Sequence, residues 1–287
     1  MRAKLFAILE VLLVYALIQA VGVLRRATGI VQWELEHLGW TYTGMLCFVG
    51  IPALVIWLTR RSWAEYGVSL TDWPTNLDLG LKAYLVRLFT FVFGLGGARL
   101  LKLDAYRLGG GAYVALVDVV GIALMVWLMN RQEPIRSGRR NIITTLVLLL
   151  FPIVLALALG RLSLVVVSTV VWQFIFSGFG EEFVCRGFVQ SRLNQAFGRP
   201  LRLCGVQFGA GLVIASLLFG LMHAFNTYQP AIGFRSLSWG WALWTFTGGL
   251  FFGAIREKTG TLVAPGIAHG LPDAAGEALM KIFGWRF

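Results

Sequence analysis

Residues 162–187 read LSLVVVSTVVWQFIFSGFGEEFVCRG, and this stretch decides the fold. Its first part, 162–180, carries no formal charge and is nearly as long as the roughly 20 apolar residues that a spanning helix needs. Glu181 and Glu182 follow directly, and Arg186 comes shortly after them. Ionisable groups at membrane depth are costly and by default mark a functional site. The stretch therefore predicts a transmembrane helix that carries a polar site.

The composition of the whole chain agrees with a membrane location. Of 287 residues, 57% are hydrophobic and only 14% are charged, which falls outside the soluble globular class. Because its 25 basic residues are scattered in ones and twos between apolar runs, we expect no nucleic-acid partner. We expect a multi-pass integral protein of the lipid bilayer, in a prokaryotic cytoplasmic membrane or an endomembrane.

Apolar segments of spanning length recur along the chain and predict an all-α polytopic protein with about eight transmembrane helices. The third segment is interrupted by Lys82 and Arg87, so an interfacial amphipathic helix is its alternative. A ninth segment, 262–271, is too short to span and predicts a re-entrant or kinked helix. The eight predicted spans are Leu5–Leu24, Trp40–Leu58, Leu79–Gly97, Ala112–Asn130, Ile142–Gly160, Leu162–Gly180, Leu203–Phe225 and Leu237–Ile255.

No long linker divides the chain, so we predict one membrane domain. Within it, residues 1–161 form N-terminal helices and loops, and residues 162–287 form the catalytic core. Loop 131–141 carries four arginines, which places it in the cytoplasm by the positive-inside rule. An even number of spans then predicts that both termini lie on that same side.

Helical spacing assigns different tasks to the two adjacent carboxylates. Glu182 and Arg186 are four residues apart, so they face each other and are expected to form an ion pair. Glu181 is rotated by about 100° and is left free for chemistry. The alternative is a surface charge cluster at a helix end. It is disfavoured because the chain continues apolar through Phe188 and Val189.

Two of the three histidines, His223 and His269, lie in apolar surroundings in the C-terminal half. A single buried histidine is usually structural, but at membrane depth its burial must be compensated. We therefore predict that both histidines share a polar intramembrane cavity with Glu181. Asp273 follows His269 by four residues and could orient it, ligate a metal, or hold a carbonyl through a protonated oxygen.

Two chemistries fit this set of residues. Glu181, His223 and His269 could bind a catalytic zinc ion and leave one position for water. Alternatively, Glu181 and His223 could polarise the attacking water without a metal. Two other acidic residues in apolar segments, Glu10 and Asp118, are expected to have structural partners or interfacial positions.

Three motifs on successive apolar segments together resemble the CPBP family of intramembrane proteases. This family includes the type II CAAX prenyl endopeptidases and the bacteriocin-processing or abortive-infection membrane proteins. The resemblance covers about Leu162 to Glu277. The motifs are Glu-Glu-x-x-x-Arg at Glu181, Glu182 and Arg186, Phe-x-x-x-His at Phe219 and His223, and His-x-x-x-Asp at His269 and Asp273.

The resemblance implies a role for each motif residue. Glu181 and His223 would activate the hydrolytic water, and Glu182 with Arg186 would hold the geometry. His269 and Asp273 would complete the site, as a metal ligand with its neighbour or as a pair that stabilises the oxyanion. Many members have Asn where this chain has Asp273. An ionised Asp would repel an oxyanion, so Asp273 favours a metal site or a protonated carboxyl group.

The expected function is an intramembrane endopeptidase that cleaves a membrane-associated protein, such as a prenylated C-terminal tail, a bacteriocin leader or another anchored tail. One alternative is a membrane scaffold or regulatory protein that keeps the fold without catalysis. Another is a proton-coupled or cation-coupled transporter that uses Glu181, Glu182 and Asp273. A transporter would predict pseudo-symmetric halves, whereas these polar groups crowd into the C-terminal part of the chain.

Overall fold

A computed structural model describes residues 2–229 and 232–285, which fold almost entirely into helices. Short 3₁₀ and π-helical segments join or extend the α-helices, and one β-hairpin interrupts them. The described elements are α1 Arg2–Ala27, α2 Ile30–Leu38, α3 Tyr42–Leu58, α4 Trp73–Thr90, α5 Gly97–Leu100, α6 Leu108–Asn130, α7 Arg139–Ala158, α8 Leu164–Val171, α9 Ser191–Phe197, β1 Leu201–Leu203, β2 Val206–Phe208, α10 Ala210–Phe225, α11 Trp239–Thr259 and α12 Val263–Phe283.

The all-α class is confirmed in the described part of the chain, but the count of eight spans is not. Five continuous helices there are long and apolar enough to cross a membrane. A sixth crossing results if α2 and α3, which meet at a bend of 116°, are taken as one span. The five are Arg2–Ala27, Trp73–Leu100, Leu108–Asn130, Arg139–Ala158 and Leu164–Phe197.

The seventh predicted span, 203–225, is divided by the β-hairpin. Between β1 and β2, Cys204 and Gly205 have φ angles of 47° and 82°, and two positive φ values are what a tight type I′ hairpin turn requires. The remaining helix, α10, has 16 residues and is therefore about 24 Å long, short of a bilayer core of about 30 Å. The eighth predicted span forms as α11, but it is rich in Gly, Trp and Thr and is not among the five apolar spans.

The third predicted span lies within a helix of 28 residues, Trp73–Leu100. Its charges have partners: Nζ of Lys82 lies 2.8 Å from Oδ2 of Asp78, and Arg87 pairs with Asp118 of α6. Since these pairs neutralise the cations and α4 packs against α6 and α12, the structure supports a spanning helix over an interfacial one.

The C-terminal helix is longer than the stretch 262–271 that was predicted to be a re-entrant or kinked helix. Helix α12 continues for 21 residues, with Pro272 inside it. Pro265 sits in the first turn, where its missing N–H group would have had no helical partner. Residues 262–271 are too few to cross a membrane by themselves. The helix is longer than this apolar stretch because it continues through Asp273 and later polar residues.

Helix α12 crosses the helix that carries Glu181 at two glycines. A Cβ atom added to Gly178 would lie 2.5 Å from Cα of Gly270, and one added to Gly270 would lie 2.8 Å from the carbonyl oxygen of Phe174. Small residues let helix backbones approach closely inside a membrane. This crossing lies within one turn of both Glu181 and His269, so it brings the two motifs together.

The first and last helices each contact charged residues in other parts of the chain. Near the start of α1, Glu10 accepts hydrogen bonds from Arg61, after α3, and from Arg192 of α9. At the end of α12, the carbonyl of Ile282 accepts a hydrogen bond from Arg161, which follows α7. The side of the membrane on which each terminus lies stays a prediction.

Candidate active site

The predicted ion pair between Glu182 and Arg186 forms the buried base of the site. Nη1 of Arg186 donates to Oε1 of Glu182 at 2.9 Å, and both side chains are completely buried. Arg186 also donates to the carbonyl oxygen of Gly249, and its guanidinium group lies 4.4 Å from the ring centroid of Phe219. The surface-cluster alternative is therefore wrong.

His269 joins this pair, which the sequence did not predict. Its Nδ1 atom lies 2.8 Å from Oε1 of Glu182. Because a carboxylate paired with Arg186 is ionised and can only accept, Nδ1 of His269 must donate. The chain around Glu181 and Glu182 is π-helical, with i→i+5 bonding that gives a wider coil than the assumed α-helix. Glu182 thus contacts both its predicted partner and a histidine of α12.

The opposite edge of the His269 ring faces two further carboxylates. Its Nε2 atom lies 3.4 Å from Oδ2 of Asp273 and 4.0 Å from Oε2 of Glu181. Ser177 also donates towards Asp273, at 3.5 Å. Glu181 therefore lies close to His269, one of the two histidines with which it was predicted to share a cavity.

Exposure rises in steps from the base of this network to its rim. The side chains of Glu182 and Arg186 are 0% exposed, that of Glu181 is 13% exposed, and that of Asp273 is 24% exposed. Oε2 of Glu181 has no hydrogen-bond partner among the described residues. A carboxylate oxygen beside a partly open rim, with a lone pair to spare, is suited to accept a proton.

His223 lies on the other side of Phe219. The Phe219 ring makes edge contacts with both histidines, at centroid distances of 4.5 Å to His223 and 5.9 Å to His269. Nδ1 of His223 lies 2.8 Å from the carbonyl oxygen of Phe219. Since a carbonyl only accepts, this Nδ1 donates, and in the neutral ring Nε2 keeps its lone pair. No contact joins His223 to Glu181 in the described part of the chain.

These placements do not assemble the predicted zinc ligands into one site. Within residues 2–229 and 232–285, no group of three or more His, Cys, Asp or Glu side chains has an arrangement that could hold a metal ion. Each histidine has its Nδ1 atom bonded to another group, which leaves Nε2 available as a ligand atom. Phe219 contacts both rings, however, and lies between them. The ligand set Glu181, His223 and His269 stays a prediction.

The sequence did not identify the aromatic surroundings of the site. Phe252 of α11 stacks on His269 at 4.7 Å, and Trp241 contacts His223 at 5.3 Å. Asp118 was expected to have a structural partner, and it is paired with Arg87. Aromatic residues are frequent along this chain, so spacing alone could not show which of them meet a histidine.

The fold and the site together define a polytopic membrane protein with a buried network of carboxylates, arginine and histidine. Residues 162–275 match the family model described as type II CAAX prenyl endopeptidase Rce1-like. This region of the chain is similar to that family, and the match confirms the CPBP resemblance there. The Rce1-like family is a protease family. No curated protein and no solved structure matched the chain.

Proposed function

We propose that this protein is an intramembrane endopeptidase that hydrolyses a peptide bond in a membrane-associated protein. The observation that carries the proposal is the position of Glu181. Its Oε2 atom is buried, has no hydrogen-bond partner among the described residues and lies 4.0 Å from Nε2 of His269, in the same ionic network as the more exposed Asp273. The family match independently points to protease chemistry.

In the proposed reaction, Glu181 acts as the general base. It takes a proton from a water molecule, whose oxygen then attacks the carbonyl carbon of the scissile bond. The C=O bond opens to a tetrahedral oxyanion, the C–N bond breaks, and the proton on Glu181 passes to the departing amine. The products are a carboxylic acid and an amine, so the water is fully accounted for.

The histidines support this reaction in different ways. His269, oriented by Glu182, presents Nε2 next to Glu181 and Asp273. In the proposed scheme the ring is an imidazolium, so that Nε2–H as well as Nδ1–H donates and Nε2 can stabilise the charge that develops on the oxyanion. His223 keeps the lone pair on Nε2 and serves as the second group that polarises the water. Glu182 and Arg186 do not react, because their charges are already satisfied by each other.

The substrate class follows from the location of the site. A carboxylate network carried on spanning helices is reached by a segment at or within the bilayer, so we propose a membrane-anchored or lipidated protein tail as substrate. No zinc is required in this scheme. If a zinc ion were bound, Glu181, His223 and His269 would be the residues to hold it, and it would supply a polarised water.

The test uses whole cells first and purified protein second. Proteomic comparison of a Glu181→Ala strain with its parent should show uncleaved membrane proteins accumulating in the variant. Synthetic peptides based on those proteins should be cleaved by the purified parent enzyme in nanodiscs. If the Glu181→Ala enzyme cleaves them at the parent rate, the mechanism is wrong.

A further inference from the structure

A second buried ion pair lies one aromatic ring away from His269. Nη1 of Arg87, on α4, lies 2.6 Å from Oδ1 of Asp118, on α6, and the two residues are 3% and 2% exposed. Thr247 of α11 donates to the other oxygen of Asp118 at 3.0 Å. The pair therefore ties three helices together, although none of the three residues belongs to a motif of the proposed active site.

Phe252 connects this pair to the histidine. Its ring stacks on the ring of His269 with centroids 4.7 Å apart and planes inclined by 15°. The guanidinium carbons of Arg87 and Arg186 lie 5.4 Å and 5.3 Å from the Phe252 centroid. Both distances are within the roughly 6 Å over which a cation is attracted to an aromatic face. Phe252 is thus held between two arginines, each fixed by its own carboxylate.

We propose that Arg87 and Asp118 are positioning residues for His269 and act through Phe252. This inference rests on the proposed function, in which His269 must present Nε2 to the reacting groups. Glu182 holds one edge of the imidazole ring, and an edge contact alone leaves the ring free to rock about that hydrogen bond. Phe252 covers the face of the ring and removes this freedom, provided that Arg87 keeps Phe252 in place.

A purely structural role for the pair makes a different prediction. Replacing a buried ion pair by apolar residues of similar volume is often neutral or stabilising. The double variant Arg87→Met with Asp118→Leu should therefore fold, and a structural pair could be replaced in this way without any effect on His269. Phe252→Leu is the complementary variant, since it removes the ring and leaves the ion pair intact.

The first measurement does not depend on activity. The chain has only three histidines, so their ring signals can be resolved by NMR in protein with isotope-labelled histidine and assigned with His37→Asn and His223→Asn. The ring current of Phe252 contributes to the shifts of His269. We expect the His269 signals to move in the double variant and in Phe252→Leu. Unchanged His269 signals in the folded double variant would overturn the proposal.

The chain offers a closely matched control. Glu34 is also a buried carboxylate, 2% exposed, and it is bound by one arginine, Arg25, and one threonine, Thr43. It makes no contact with Phe252 or His269. Glu34→Gln should therefore leave the His269 signals in place. If Glu34→Gln moves them as much as the double variant does, the effect is a general response to a lost ion pair and the proposal fails.

The second measurement separates this proposal from the proposed function. In the double variant we expect kcat to fall by about 10- to 100-fold with KM little changed, because a small displacement of a catalytic group has this size of effect. Arg87→Lys should recover only part of the rate, since an ammonium group lacks the planar guanidinium fork. If Glu181→Ala retains activity while the His269 signals still move, the mechanism fails and the positioning role stands.

Discussion

Oε1 of Glu182 lies 2.8 Å from Nδ1 of His269 and also accepts a hydrogen bond from Arg186. One carboxylate oxygen thus connects the helix that carries Glu182 to α12. Because Arg186 keeps Glu182 ionised, the histidine must donate from Nδ1 and turn Nε2 towards Glu181 and Asp273. The orientation of the proposed catalytic histidine is therefore determined by a pair that takes no direct part in the reaction.

The first prediction concerns Glu182. Glu182→Gln should destabilise the protein by about 3–5 kcal/mol, because it leaves Arg186 buried without a counter-charge. It should also lower kcat, since His269 loses the acceptor that orients it. Thermal unfolding in detergent and peptide cleavage measure the two effects. Glu36→Gln, at an exposed glutamate, is the control and should change neither.

Glu181→Gln should lower the rate of cleavage strongly and change the stability of the protein very little, unlike Glu182→Gln. The substitution removes the proposed general base, and general-base catalysis typically contributes about 10²- to 10⁴-fold to a rate. Stability should hardly change, because Oε2 of Glu181 has no hydrogen-bond partner among the described residues to lose. A scaffold protein would tolerate this variant, so full complementation of a deletion strain by Glu181→Gln would contradict the protease proposal.

Local spacing was enough to predict the polar pairs that lie within one helix. The Glu182 and Arg186 pair needs only an i,i+4 relation. The direction of Glu181 does not follow from α-helical periodicity alone, because the chain is π-helical there. The all-α class followed from long uncharged runs. These features depend on residues close together in the sequence, where helical geometry fixes the distances.

Contacts between distant helices could not be predicted in the same way. The hydrogen bond from His269 to Glu182, the stacking of Phe252 on His269 and the pairing of Arg87 with Asp118 all depend on how helices cross. The count of eight spans is not confirmed, for a related reason. Residues 201–208 form a β-hairpin, but they are as apolar as part of a helix. Only the turn between the two strands distinguishes this hairpin from a helix.

A prediction about metal follows from the positions of the two histidines. Purified protein should contain zinc well below one equivalent, and peptide cleavage should survive dialysis against a strong chelator. The reason is that Phe219 contacts both histidine rings and that these histidines do not come together with Glu181 as a three-ligand group among the described residues. Stoichiometric zinc, with activity lost to the chelator and restored by zinc, would instead support the three-ligand set Glu181, His223 and His269.

The last prediction concerns the crossing of the two helices that carry the site. Gly178→Ala should place a methyl group against the backbone of Gly270, where a Cβ atom would be only 2.5 Å from Cα. The helices must then separate, so His269 moves away from Glu182 and cleavage falls together with thermal stability.

A Cβ atom added to Gly276, further along α12, would meet nothing within 4 Å, so Gly276→Ala tests alanine substitution without a clash. We expect this control to retain activity and to gain stability, by up to about 1 kcal/mol, from better helix propensity. Equal activity in the two alanine variants would show that the close approach of Gly178 and Gly270 does not set the geometry of the site.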